Sequence, residues 1–219
     1  MPHLKSTIEF HVPEPTLRRL PWYLAFAKLA LQQGESFLSS TRIAKSIAVD
    51  ASMVAKDLSF VKISGRTRVG YDVNELVTVL EHFLGFTDSH QAYLFGVGNL
   101  GGALMHDNGL QQFGMEIKAG FDVRHELTGT SINHIPIHHI DKFAELQQQT
   151  GIHIGILTVP VDKAQEVSDI MVKGGIKAIW NFTPYRIVVP ENVIVQNTSI
   201  YAHLAVMYNR LNALKELDL

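Results

Sequence analysis

Gly96-Val97-Gly98-Asn99-Leu100-Gly101 is the stretch whose residue types and spacing point most directly to chemistry. In such a GxGxxG array the first glycine permits a tight turn and the second leaves room for a phosphate beside the backbone. The third lets a helix pack close to a sheet. A pyrophosphate held there would meet the free N–H groups and the positive end of that helix. Ala92–Val97 reads as the strand and Leu100–Asn108 as the helix, so Gly96, Val97, Gly98, Asn99, Leu100 and Gly101 form a candidate dinucleotide cradle. Asp122 ends the next predicted strand, 21 residues after Gly101, where a carboxylate can accept from the hydroxyls of an adenosine ribose. The same carboxylate could serve only as a turn cap. As a ribose ligand it would repel a 2′-phosphate and favour NAD(H) over NADP(H). Arg124, two residues on, is of a type that can receive that phosphate.

The elements needed to position these residues are legible around them. Ala92–Val97, Met115–Asp122, His153–Thr158 and Ile176–Trp180 read as strands, followed by a pair, Arg186–Val189 with Val193–Gln196. Leu100–Asn108, Lys142–Thr150 and Asp162–Lys173 read as helices between them. Strands rich in Ile, Val and Leu that alternate with helices predict a parallel, doubly wound α/β sheet, a Rossmann domain over residues 88–198. Asp88-Ser89-His90 is the expected linker before it. After it, Ser199 caps a last helix over residues 199–219, in which Ile200, Leu204, Met207, Leu211 and Leu214 follow a 4-3-4-3 spacing. That narrow seam suits either packing on its own domain or pairing with a neighbouring subunit.

Residues 1–87 read differently. Leu20, Leu24, Ala27 and Leu31 mark one face of a helix that Gly34 ends. Ser39-Ser40 cap a second helix with Ile43, Ala44 and Ile47 inward. After Ala48-Val49-Asp50, a third helix turns Val54, Leu58 and Val61 inward and Ser52, Ala55, Lys56 and Ser59 outward. Ile63–Tyr71, basic and punctuated by glycine, suits a β-wing. This is the pattern of an all-α winged helix-turn-helix. Its candidate DNA-contacting residues are Ser40, Ser52, Lys56, Ser59, Lys62, Arg66 and Arg68. A three-helix bundle with an exposed basic loop has the same pattern.

Charge agrees with this division of labour. The net charge of −2 conceals ten Lys and Arg against eight acids in residues 1–85, and nine against thirteen in the remainder. Residues 38–71 hold six basic side chains against two acidic ones, a local excess suited to nucleic acid. The chain has no cysteine, which excludes disulfides and thiol chemistry and fits a cytoplasmic protein. No apolar run reaches the roughly 18 residues of a membrane span, and Met1–Val12 lacks the pattern of a signal peptide. His134, His138 and His139 flank Pro136 in a short strand or loop and read as surface structure, with neither a catalytic residue nor a metal ligand expected. The dinucleotide fold consumes nearly all of residues 90–197, leaving little for a second substrate. Binding without turnover is therefore expected, the nucleotide as signal and the helix-turn-helix as output. An NAD-dependent oxidoreductase whose first domain serves only dimerisation is the alternative. A winged helix that acts as an interaction module is another.

Several motifs in combination resemble the Rex family of redox-sensing repressors. They are Arg19-Leu20-Pro21-Trp22-Tyr23, Leu38-Ser39-Ser40, Lys56-Asp57-Leu58-Ser59 and Val69-Gly70-Tyr71 in the first domain. In the second they are Gly96–Gly101, Phe121-Asp122-Val123, Thr158-Val159-Pro160 and Asn181-Phe182-Thr183-Pro184. The similarity covers residues 15–210. It implies a homodimer whose last helix swaps into the partner, and a repressor that leaves palindromic double-stranded operators of fermentation or respiration genes when NADH binds. It also implies that Thr158, Val159, Pro160, Asn181, Phe182, Thr183 and Pro184 line the nucleotide, the last four near the nicotinamide. Arg19 would link NADH or NAD⁺ occupancy to domain orientation. Ala55 stands where the family usually has Arg, and Lys62 and Arg68 where its wing has Gly. Ser199 stands where an Asp commonly pairs with the counterpart of Arg19.

Overall fold

The computed structural model describes residues 12–217, and the chain divides into two compact units between Asp88 and Ser89. The first runs α1 (Glu14–Gln32), β1 (Phe37–Leu38), α2 (Ser40–Ile47), α3 (Ala51–Phe60), β2 (Tyr71–Asp72) and α4 (Val73–Phe83). α1 continues through Pro21. It buries Leu20, Tyr23, Leu24, Ala27 and Ala30, while Leu31, expected on that face, is exposed. The buried stripe is rotated toward Tyr23 and Ala30. Ser39 caps α2 by accepting from the N–H of Arg42, and left-handed Ala48 ends that helix. β1 and β2 pair antiparallel, Leu38 opposite Tyr71. The expected wing is a short loop closed by an Arg66–Gly70 bridge, and it leads through β2 into α4. α4 lies outside the elements expected from the sequence; Leu76, Val77 and Leu80 bury its inner face in the core of this unit.

The second unit contains β3 (His90–Phe95), α5 (Asn99–His106), α6 (Gly109–Gln112), β4 (Met115–Asp122), β5 (Ser131–Ile132) and β6 (Ile135–His139). It continues with α7 (Phe143–Thr150), β7 (Ile154–Leu157), α8 (Ala164–Lys173), β8 (Ala178–Asn181), β9 (Ile194–Asn197) and α9 (Ile200–Leu217). The sheet order is β5-β6-β4-β3-β7-β8-β9, parallel from β6 to β9, with β5 antiparallel at the edge. The chain winds outward in opposite directions from β3 and β7. Their carboxyl ends therefore flank the crevice where open α/β sheets place ligands. One face of the sheet is held by rings: Phe143 meets Tyr93, Phe95 and Phe121 edge-on, and Phe95 stacks on Phe121 at 5.2 Å.

Two expectations need correction. Arg186–Val189 is not a strand paired with β9. The side-chain amide of Gln165 donates to the carbonyl of Val188 and accepts from its N–H, each at 2.8 Å, so a helix side chain takes the place of a strand neighbour. β9 pairs parallel with β8 instead. His90, assigned to the linker, is the first residue of β3, with its N–H bonded to the carbonyl of Gly114.

The first unit is joined across its core by one charged residue to which local sequence pattern assigns no role. Asp57 on α3 is about 1% exposed. Its carboxylate accepts from Thr16 Oγ1 at 2.8 Å, Tyr23 Oη at 2.7 Å, and Arg19 Nε and Nη2 at 2.6 and 2.8 Å. All three donors lie on α1, so the pair sets how α1 sits on α3. Burial alone would raise the pKa of Asp57, but the bonds from Arg19, Tyr23 and Thr16 outweigh it and hold the group below the usual carboxylate range. Removing one partner of such a buried pair costs roughly 3–5 kcal/mol. Arg19 retains some access to water, which favours the lower figure. Asp57→Ala is thus expected to lower stability to urea by about 3 kcal/mol. A depressed carboxylate contributes fully above the ordinary aspartate range, near pH 3.9, and loses that contribution as pH falls through its lower folded value. Wild-type stability should show this acid loss and Asp57→Asn should lack that component. Equal acid titrations of the two proteins would refute the assignment.

Candidate functional site

The glycine array sits where β3 turns into α5. Gly96 has φ +97°, and a Cβ there would lie 2.8 Å from the backbone nitrogen of Val159. At Gly101 a Cβ would lie 2.2 Å from the carbonyl oxygen of Gly96. Both positions admit hydrogen alone. Gly98 differs: it precedes α5 as its N-cap, and a Cβ there meets nothing within 4 Å. The turn is thus closed on its protein side and open at Gly98, beside the first N–H groups of α5, which lack partners within the helix. Such a cradle fits a pyrophosphate.

Opposite the turn, Gly96, Gly98, Asp122, Thr158, Val159 and Pro160 line a cleft of about 800 Å³. Its outer wall is apolar, with Val123, Ile140, Val167 and Ile170, suited to a flat aromatic group. Thr158 serves the turn itself, its Oγ1 donating toward the carbonyls of Phe95 and Gly96 at 3.1 and 2.8 Å. Asp122 is 8% exposed and accepts from the N–H of Val97 at 2.8 Å. Arg124 also donates to it, through its backbone N–H, Nε and Nη2. Burial would raise the pKa of Asp122, but the bonds from Arg124 and Val97 prevail and hold it below the usual carboxylate range.

Asn181 ends β8, opposite Leu157 of β7, and Phe182, Thr183 and Pro184 follow it along the same carboxyl edge, but the four do not line this cleft. Asn181 is fully buried. Its amide donates to the carbonyl of Tyr185 and to Asn197 Oδ1, and accepts from the N–H and hydroxyl of Thr183. It therefore shapes the 181–185 loop, and its side-chain hydrogen-bonding capacity is used up in doing so. Phe182 packs on Trp180 with ring centres 4.6 Å apart.

In the first unit, α3 presents Ser52, Ala55, Lys56 and Ser59 to solvent. The hydroxyl of Ser59 donates to the carbonyl of Lys56. Ser40, the first residue of α2, is half-buried. Lys62, Arg66 and Arg68 are exposed, with Arg66 lying 5.3 Å over the ring of Phe37. Lys62 and Arg68 have φ of +59° and +63°, so both cations hold the left-handed backbone that glycine adopts at less cost. Arg19, expected to lack its usual partner, is held by Asp57. Ser199 accepts from the N–H of Ala202 and caps α9.

α9 is apolar over a wider arc than the predicted seam. Ile200, Met207, Leu211 and Leu214 are each about half exposed, as are Val206 and Tyr208, while Leu204 is half-buried. His139, at the end of β6, stacks on His125 at 5.1 Å. Among the described residues no group of three metal-binding side chains comes together, and no helix is long and apolar enough to cross a membrane.

Comparison with known proteins gives this architecture its relatives. Residues 11–59 match a family described as a putative DNA-binding protein N-terminus, and residues 87–185 match a CoA binding domain. The chain is 65% identical to the redox-sensing transcriptional repressor Rex of Bacteroides fragilis, over 92% of this chain and 91% of that one. It is 58% identical to Rex of Porphyromonas gingivalis, over 95% and 96%. The chain belongs to the Rex family. Among solved structures it resembles RSP, a Rex-family repressor, in complex with β-NAD⁺ and operator DNA, with a TM-score of 0.88 at 31% identity over 94% of this chain and 95% of that one. RSP with β-NADH gives 0.85 at the same identity, over 94% and 97%. In this Rex-family chain the glycines of the cradle should separate by experiment. Gly98→Ala enters open space and should leave stability within about 0.5 kcal/mol. Gly101→Ala, driven against the Gly96 carbonyl, should cost roughly 1–3 kcal/mol. Urea unfolding of both variants checks this, and a Gly98→Ala cost equal to that of Gly101→Ala would contradict the geometry.

Proposed function

We propose that this chain is a cytoplasmic homodimeric repressor that binds palindromic operator DNA and leaves it when NADH binds. The observation that carries the reading is the cradle open at Gly98, in a chain whose other unit exposes the Ser52-Lys56-Ser59 face of a helix-turn-helix. Membership of the Rex family supports it, as do the RSP complexes with β-NAD⁺, operator DNA and β-NADH. Residues 1–87 take DNA, residues 88–198 take the nucleotide, and residues 199–219 form a dimerisation helix that swaps between subunits.

In this reading the N–H groups at the start of α5 hold the pyrophosphate, Asp122 faces the adenosine ribose, and Val159 and Pro160 wall the cleft. Phe182 to Pro184 lie toward the nicotinamide, with Asn181 holding their loop. Nicotinamide chemistry here is a signal and not a reaction step. Lys56, Lys62, Arg66 and Arg68 meet phosphates or bases, with Ser40, Ser52 and Ser59 beside them. Arg19 enters the switch through its hold on Asp57 of the recognition helix, and Ser199 through its cap on α9. NADH can move the equilibrium only by its differential affinity, so it must bind the DNA-incompetent state more tightly. Operator DNA then weakens NADH binding by the same factor.

The test is fluorescence anisotropy on a duplex selected from a random pool, titrated with NADH and NAD⁺. NADH should release the duplex from wild type but not from Gly98→Val, whose side chain fills the cradle. Lys56→Ala and Arg66→Ala should weaken binding, and a lost phosphate contact should reduce the salt slope by about one. Unchanged operator binding in both would overturn the DNA assignment. For α9, Leu211→Glu with Leu214→Glu should give monomers in sedimentation and lower operator affinity, since two half-sites can no longer be held together. A double variant that stays dimeric would remove α9 from the interface.

A further inference from the structure

We propose that Phe37 is a positioning residue for DNA binding: its ring holds the Arg66 guanidinium by one face and leaves the N–H edge of the cation for a backbone phosphate. The inference rests on the DNA reading above and concerns how the wing presents its charge. Three other arginines of this unit are held through their donors. Arg18 binds Glu14, Arg19 binds Asp57 and Arg42 binds Glu35. Each of those pairs occupies N–H groups and balances the positive charge. Arg66 is held differently. It is exposed, it forms no ion pair among the described residues, and its guanidinium carbon lies 5.3 Å over the Phe37 ring. An aromatic ring attracts a cation through its π face, whereas the five donors of a guanidinium point outward in its own plane. The charge and the donors thus stay open to a phosphate, which the planar fork can take through two parallel bonds.

The backbone fixes both partners before their side chains meet. Phe37 is half-buried in β1, opposite Asp72 of β2. Arg66 closes the wing loop with its main chain: its N–H donates to the carbonyl of Gly70 at 2.8 Å, and its carbonyl accepts from the N–H of Gly70 at 2.9 Å. Gly70 lies so close to β1 that a Cβ there would stand 2.5 Å from the carbonyl oxygen of Leu38, the residue after Phe37. The wing loop is therefore registered on the strand that carries the ring. A free arginine gives up rotamer freedom when it settles on a duplex, and that ordering weakens binding by roughly three- to tenfold. On Phe37 the ordering is already present in the free protein.

Fluorescence anisotropy of the full chain on the selected duplex tests this, with Phe37→Leu, Phe37→Trp, Arg66→Ala and the double variant Phe37→Leu/Arg66→Ala. Phe37→Leu keeps an apolar side chain but removes the ring, and it should weaken binding about three- to tenfold. Phe37→Trp, which offers the cation a larger face, should stay within about twofold of wild type. In the Arg66→Ala background, Phe37→Leu should lose nothing further. The salt slope separates ordering from charge: Arg66→Ala should reduce it by about one, and Phe37→Leu, in which Arg66 still meets its phosphate, should leave it unchanged. Nitrogen relaxation at Arg66 Nε in the free wild-type protein reads the ordering without any variant, and an order parameter below about 0.6 would overturn the proposal. Wild-type affinity in Phe37→Leu would overturn it as well, and so would a gain, which would mean that the ring keeps Arg66 from the duplex. Equal losses from Phe37→Leu with and without Arg66 would show the ring supporting the wing alone, and would also overturn it. A wild type that selects no duplex would overturn the DNA reading and this inference with it.

Discussion

A Cβ at Gly101 would stand 2.2 Å from the carbonyl oxygen of Gly96, so α5 can begin where it does only because position 101 carries no side chain. This close approach of helix to turn brings the first N–H groups of α5 to the carboxyl edge of the sheet. Other parts are arranged around it. Thr158 donates across from β7 to the carbonyls of Phe95 and Gly96, and Asp122 receives the N–H of Val97. β3, β4 and β7 thus deliver their ends to one turn. The turn is fixed by backbone contacts that exclude a side chain at Gly96 and Gly101 and leave open space at Gly98.

The two buried carboxylates among the described residues solve one physical problem in different ways. An ionised group removed from water needs charge and hydrogen bonds around it. Asp57 receives both from α1, and in doing so it registers α1 against the helix that presents Lys56. Asp122 receives its bonds from Val97 in the glycine turn and from Arg124, which lines the cleft. The first arrangement is largely buried, with Arg19 alone of the pair reaching water. The second is partly open, because Arg124 faces solvent.

α9 carries the opposite condition. Ile200, Met207, Leu211 and Leu214 stand about half exposed, with Val206 and Tyr208 beside them. An apolar face of this extent on one helix is stabilised when another surface covers it. The wing holds its own local cost in Lys62 and Arg68, whose left-handed backbone places two cations where glycine would strain less.

By itself the sequence determined what local periodicity and spacing carry. The glycine array with its flanking strand and helix, the alternating pattern after it, the inward face of α3 and the family motifs were all readable from neighbouring residues. Tertiary structure decided what depends on residues far apart in the chain. Asp57 looked like one more position in a recognition helix until Thr16, Arg19 and Tyr23 converged on it. Arg186–Val189 has the composition of a strand, yet Gln165 captures the backbone of Val188. The family resemblance implies Asn181 and Thr158 as ligand contacts; the Asn181 side chain is spent on its own loop, while Thr158 lines the cleft and also donates to carbonyls of the turn. Hydrophobic pattern reports which face of an element is buried, because burial repeats with the turn of a helix or the pleat of a strand. A polar side chain carries no such period. Its partner is chosen by whichever donor or acceptor the fold brings within 3 Å or so, and that choice exists only once the chain has closed on itself.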